Sequence, residues 1–473
     1  MTPQEKFQKF IERNPHPRRP FYERPHLTRR QLFRVFGAGV TATCLVGKPA
    51  HAGVVIDSRP VTMQNTAKNV IFVQLVGAPS HIDTFDFKEV AGTTPANFNP
   101  TNINGIMWPT GLLPKLADQL PNIAIVRSAQ AWATGHAVTQ TWIQIGRNPS
   151  GVLGDIAPNI GSIVAVEKYP ERLPNQVLPT FIGLNSQAGI GGGYLPATYG
   201  PMQLSPSANG IPDTTNVDGQ ARMGPRFQLL GQLDGPLRVN SPYGKALEDF
   251  ADFDTSARAL MYNPAVAAAF NYSSADSARY GNNTFGNACL LATKILGSNL
   301  GTRYVQIALG GWDMHVGIYG KNGTGGLYTL GKTFDDGVSA MLADLQASGQ
   351  LDSTLVVMMG EFGRTVGPLT QTAGRDHLQQ QFVAFAGAGI QGGTTIGSTV
   401  ADGSATDDPG WSRQRDVKPE DVEATIYSAM GINWTNIRYD DPFGRGFEYV
   451  PFANADDLYG PINELWPSAP PSA

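Results

Sequence analysis

Histidine and aspartate stand next to each other, or one residue apart, at three places in this 473-residue sequence: His81-Ile82-Asp83, Asp313-Met314-His315 and Asp376-His377. An extended chain sends residues i and i+2 to the same side, so H-x-D or D-x-H can offer an imidazole and a carboxylate to one ion, or to two neighbouring ions. Glu361 follows the apolar run TLVVMM, with Arg364 three residues on. A mixed carboxylate-imidazole set of this kind suits one or two divalent ions, and Zn²⁺, Mn²⁺, Mg²⁺ and Ca²⁺ all remain open.

The same stretches hold groups for an anion. Guanidinium presents a fork to phosphate, sulfate or carboxylate, which makes Arg364 and Arg375 candidate oxyanion clamps. His136, in AWATGHAVTQ, opens a predicted helix whose terminal amides favour negative charge. Each group also has a plainer role: a hydrogen-bonded core histidine, a turn-capping Asp376, an Arg364–Glu361 bridge. Repetition weighs against chance, because three of the seven histidines share the pattern.

These groups sit at the ends of short apolar runs: 69–81, 122–130, 178–185, 303–315, 353–364 and 381–390. Runs without polar alternation predict strands buried on both faces, hence a mostly parallel sheet. Between them, residues 111–120, 137–146, 286–298, 332–349 and 419–432 space their apolar positions as amphipathic helices do. The alternation predicts an α/β fold, a three-layer α/β/α sandwich, with its site beyond the strands' carboxyl ends. Residues 69–440 form the expected domain, after a linker at 53–68. The Gly/Pro/Ser-rich stretch at about 186–242 reads as a surface insertion, and 441–473 as a wrapping or frayed tail.

Residues 1–52 hold ten of the 35 Lys/Arg but three of the 39 Asp/Glu, leaving 25 basic against 36 acidic residues in the body. An acidic body argues against nucleic acid as a partner. Arg29-Arg30, then an apolar stretch, then Ala50-His51-Ala52 is the layout of a twin-arginine export signal cut near Ala52. The run from Val35 to Val46 is short against the ~20 residues a membrane span needs, so no stable span remains after the signal is removed. The expected location is periplasmic or extracellular. Outside the signal only Cys289 remains, which rules out an intramolecular disulfide there; in NACLLATKIL it reads as a buried helix residue.

Taken together, GAPSHIDTFDFK (77–88), GGWDMH (310–315), MGEFGRT (359–365), GRDH (374–377) and AGAGIQGGTTIG (386–397) resemble the twin-arginine-exported family known as domain of unknown function 1501. That family is grouped with the alkaline phosphatase and sulfatase superfamily, and the resemblance covers most of 69–435. It implies an alkaline phosphatase-like fold in which metal activates a Ser, Thr or formylglycine nucleophile. It also implies that Asp313 and His315 are one metal-binding pair, that His377 is a later ligand, and that His81 and Asp83 fill the first-strand position. Asp376 and Glu361 complete the metal candidates, Glu361 standing where relatives carry an Asp-His pair. Ser80, Thr84, Ser128 and Thr134 are all candidate nucleophiles, while Cys289 lacks the following Pro and Arg of a formylglycine site.

The reading is an exported metal-dependent hydrolase of phosphate or sulfate esters, acting on a small anionic ester or a sulfated or phosphorylated glycan. The alternative is a non-catalytic, metal-stabilised binding or assembly protein with a protein partner. A polysaccharide-binding module has only Trp108, Trp132 and Trp142 behind it.

Overall fold

The computed structural model of the protein describes residues 54, 56–151, 153–185, 191–212, 214–238 and 254–467. The chain divides into two units, Met1–Val55 and Ile56–Ala473. The twin-arginine region expected at 1–52 lies outside the described residues.

Eight strands of the second unit form one sheet: β1 Asn69–Val76, β2 Ile123–Gln130, β3 Phe181–Leu184, β4 Met202–Leu204, β5 Tyr304–Gly310, β6 Thr354–Gly360, β7 Gln380–Ala386 and β8 Thr394–Ile396. Their order is β8-β2-β7-β6-β1-β5-β3-β4. Only β7 runs against its neighbours, pairing antiparallel with both β2 and β6. Because β7 is reversed, its amino end lies at the same edge as the carboxyl ends of β1, β2, β5 and β6.

Every residue of β1, NVIFVQLV, is buried. Helices cover both faces, so the strand has no use for polar alternation. Ile71, Val73 and Leu75 join one core with Phe334, Met341 and Leu291, while Val70 and Phe72 join another with Ile163, Ile426 and Tyr427. The first core packs α7 Thr284–Gly297 and α8 Gly326–Ala347, with α1 Pro114–Gln119 and α5 Pro264–Phe270 beside them; α6 Ser274–Arg279 links α5 to α7. The second packs α2 His136–Ile145, α3 Ile160–Lys168 and α9 Pro419–Ala429. The result is an α/β/α sandwich on a mostly parallel sheet.

Within the segment read as an insertion, Met202–Leu204 adds β4 to the sheet edge, and α4 Gln220–Arg238 exposes Leu229, Leu230 and Leu233. A three-residue strand is too short to leave a periodic signal. The described part of the tail packs into the second core through Phe447, Tyr449, Ile462, Leu465 and Trp466. The indole of Trp466 donates to the Ala388 carbonyl.

That core carries a charge cost. Glu423 on α9 is fully enclosed, and one of its oxygens has no partner. Burial pushes its carboxyl up to about 8, against the opposing pull of Arg147 and the Tyr427 hydroxyl. The folded state therefore holds a proton that the unfolded chain releases near pH 4.5. Stability is fully present below that pH and falls as pH rises toward 8, by at most about 1.4 kcal/mol per unit. Chemical denaturation at pH 5.5 and 7.5 should show a smaller difference for Glu423→Gln than for the native chain. An unchanged difference would mean that Glu423 is already ionised in the folded protein.

Candidate metal centre

Five chain segments meet at the carboxyl edge of the sheet. β1 is followed by Gly77, which takes φ +106°, and a Cβ there would lie 2.5 Å from the Asp313 nitrogen. Only glycine lets the end of β1 and the loop after β5 approach so closely. Beyond β6, Gly363 and Arg364 pair antiparallel with Leu378 and His377, setting Arg364 opposite His377. Gly374 packs against His315, where a Cβ would meet the His315 carbonyl carbon at 2.0 Å. These contacts fold the crowded loop 360–377 back on itself.

His136, Asp313, His315 and His377 converge, each offering one ligand atom, with all four atoms within 4.8 Å of one another. His377 Nε2 lies 3.1 Å from His136 Nε2 and 2.9 Å from His315 Nε2. Asp313 Oδ1 is 3.0 Å from His315 Nε2, 3.3 Å from His136 Nε2 and 3.8 Å from His377 Nε2.

The other ring nitrogens fix the tautomers. His377 Nδ1 lies 2.7 Å from the Thr134 carbonyl, which only accepts, so Nδ1 carries the hydrogen. His136 Nδ1 faces Glu361 Oε1 at 2.7 Å, and His315 Nδ1 faces Asp376 Oδ1 at 2.8 Å, and both donate to carboxylates. With Nδ1 turned outward in each, all three rings aim Nε2 into one small volume. Lone pairs about 3 Å apart repel unless something positive lies among them. Four ligands held about 2.0–2.1 Å from a tetrahedral ion would lie about 3.3 Å apart, close to the observed spacing.

Local electrostatics favour the ligating forms of His377 and Asp313. Burial holds the His377 imidazole below its ordinary value, helped by the Arg364 charge and opposed by the Thr134 carbonyl. Burial pushes the Asp313 carboxyl up, but the hydrogen bond and charge of Arg364, 2.6 Å away, outweigh it and hold the carboxyl low.

Glu361 lies behind the cluster, completely buried. Its Oε1 accepts from His136, from the Gly77 amide at 2.9 Å and from Gln140 Nε2 at 3.0 Å, while Oε2 has no partner. Expected as a ligand, it is placed to orient His136. Asp376, expected likewise, orients His315 from the exposed rim.

The first-strand residues lie elsewhere. His81–Asp83 forms a 3₁₀ turn rather than an extended segment, which sends the two side chains apart. His81 Nε2 donates to the Gly403 carbonyl, and burial holds its imidazole below the ordinary value. Asp83 accepts from Ser80 Oγ at 2.6 Å, Tyr319 at 2.7 Å and Arg375 Nε at 2.8 Å. Arg375, fully buried, gives three further N–H groups to the Thr365 and Gly367 carbonyls and to Tyr319, so four of its five donors are committed inside the protein. The Thr84 hydroxyl donates to the Ser80 carbonyl, and Ser128 to the Pro409 carbonyl.

Sequence reasoning passed over Gly77, Gln140 and the Thr134 carbonyl as contributors. Two of these act through the backbone, which carries no residue-type signal. Gln140 lies one helical turn after His136 on α2, a spacing that brings both to Glu361.

The family described as "Protein of unknown function (DUF1501)" matches residues 67–452. Among curated proteins none matches the chain. Similar solved structures include a lipoteichoic acid synthase from Listeria monocytogenes, 12% identical with a TM-score of 0.35, covering 80% of this chain and 76% of that one. Others are a sulfatase from Pseudoalteromonas sp., 12% identical with a TM-score of 0.38 (78% and 69% covered), and an alkaline phosphatase superfamily protein from Vibrio parahaemolyticus, 11% identical with a TM-score of 0.37 (80% and 69% covered). Likeness at these scores assigns no chemistry to this chain.

Proposed function

The chain belongs to that family, and we propose that it is a metal-dependent hydrolase of phosphate or sulfate esters. One observation carries this reading: three histidine Nε2 lone pairs and one carboxylate oxygen converge at the strand ends with every tautomer fixed from behind. His136, His315, His377 and Asp313 would hold the ion, while Glu361, Asp376 and the Thr134 carbonyl keep the rings in place. Three imidazoles favour Zn²⁺ or another late first-row ion over Mg²⁺ or Ca²⁺, which prefer oxygen. A divalent ion there would polarise an ester oxygen and acidify a water. The first amides of α2, which begins at His136, have no intrahelical acceptor and favour an oxyanion beside the cluster.

Export by the twin-arginine route, from Arg29-Arg30 and the Ala50-His51-Ala52 cleavage pattern, belongs to the same proposal. No helix among the described residues is long and apolar enough to cross a membrane. The test is turnover of aryl phosphates, aryl sulfates and sulfated or phosphorylated glycans by ion-loaded protein. His136→Ala or His315→Ala should reduce hydrolysis to background. A loaded, folded protein that cleaves nothing in that panel would remove the hydrolase reading.

A second reading is a metal-stabilised binding protein. It is favoured by the Ser80, Thr84 and Ser128 hydroxyls being spent on internal hydrogen bonds, and by the exposed Leu229, Leu230 and Leu233 of α4. Changing those leucines to serine should then abolish capture of a stoichiometric periplasmic partner while leaving hydrolysis assays unaffected.

A further inference from the structure

We propose that Arg364 couples the ion to the oxyanion, so that each tightens the binding of the other. The inference rests on the metal-centre reading above but not on turnover. Arg364 is almost wholly buried, and each of its five N–H groups has an acceptor. Nε donates to the Ala78 carbonyl at 2.9 Å. Nη2 donates to the Gly77 carbonyl at 2.5 Å and Asp313 Oδ1 at 2.6 Å. Nη1 donates to the Arg375 carbonyl at 3.2 Å and His315 Nε2 at 3.3 Å.

Four of these bonds go to oxygens, which have lone pairs to spare. The fifth goes to an imidazole nitrogen with one lone pair, because the His315 Nδ1 hydrogen is committed to Asp376. An ion ligated by His315 takes that lone pair. One Arg364 hydrogen is then left without an acceptor, on a charged group whose other four donors still pin it. A buried donor without a partner is costly, and a tetrahedral oxyanion beside the ion supplies what it lacks. Arg375 is a poor substitute, since it is fully buried and Asp83, Tyr319 and two carbonyls take four of its five N–H groups. The anion site is therefore completed by the ion, and linkage requires the reverse effect to be equal in size.

The experiment measures Zn²⁺ affinity of the full chain by chelator competition, with and without saturating inorganic sulfate, at constant ionic strength set with chloride. Sulfate should tighten Zn²⁺ binding by roughly 5- to 150-fold, the usual range for coupled sites. Arg364→Met should still bind Zn²⁺ but lose the sulfate effect, and Arg364→Lys should show a reduced one. The native chain decides the matter even if both variants misfold: Zn²⁺ bound equally well with and without sulfate overturns the coupling and leaves the metal centre standing. No Zn²⁺ bound at all overturns both. Coupling of undiminished size in a folded Arg364→Met protein would move the anion's partner to the α2 amides and overturn the role of Arg364.

Discussion

Elemental analysis of the folded full-length protein should return close to one divalent ion per chain, and none once Asp313 and His377 are both alanine. The size of the effect follows from the ligand count. Four-ligand zinc sites bind with about 10–16 kcal/mol, so a single ligand is worth about 2.5–4 kcal/mol, or roughly 60- to 900-fold in affinity. His377→Ala alone should weaken binding by that factor. Glu361→Gln should cost only about 10- to 100-fold, the usual consequence of losing a residue that orients a ligand. The ranking separates two roles for a buried carboxylate that has one oxygen crowded and the other bare. If Glu361→Gln cost as much as His377→Ala, Glu361 would be a ligand in its own right. If the Asp313/His377 double variant kept its ion, the centre would lie elsewhere.

The architecture was legible because the core strands are short, mostly apolar runs without regular polar alternation, and the helices between them keep their spacing. Their observed limits, such as His136–Ile145 and Pro419–Ala429, lie close to the expected 137–146 and 419–432. The β4 edge strand was not legible, having only Met202, Gln203 and Leu204 to announce it. At the site, the pairing expected of Asp313 and His315 is met, both reaching the cluster from the irregular segment after β5. It does not carry over to His81 and Asp83, since the turn they form breaks the extended geometry on which the i, i+2 argument depends. Which way a chain bends after a strand depends on contacts made far along the sequence: here Asp83 with Arg375 and His81 with Gly403. The place of His136 in the cluster was hidden for a similar reason. Only the adjacency of β2 and the reversed β7 brings it beside His377.

That distant contact makes its own large prediction. Asp83 and Arg375 are both fully buried, joined at 2.8 Å, with Ser80 and Tyr319 completing the carboxylate's partners. Burial pulls the Arg375 guanidinium toward losing its charge, but Asp83 and Tyr319 more than compensate and hold it above its ordinary value. Removing one partner strands the other charge in the interior, so Asp83→Leu and Arg375→Met should each cost roughly 3–5 kcal/mol in chemical denaturation. The double variant strands no charge and should lose clearly less than the sum, with a coupling of about 0.5–3 kcal/mol. Simple additivity would mean that the pair contributes only through packing. Ion content settles the remaining question. Asp83 touches none of the four converging ligands, so each variant that still folds should keep its ion. A folded Asp83→Leu protein that lost the ion would return the first-strand aspartate to the metal centre, and the three-histidine cluster would then be only part of it.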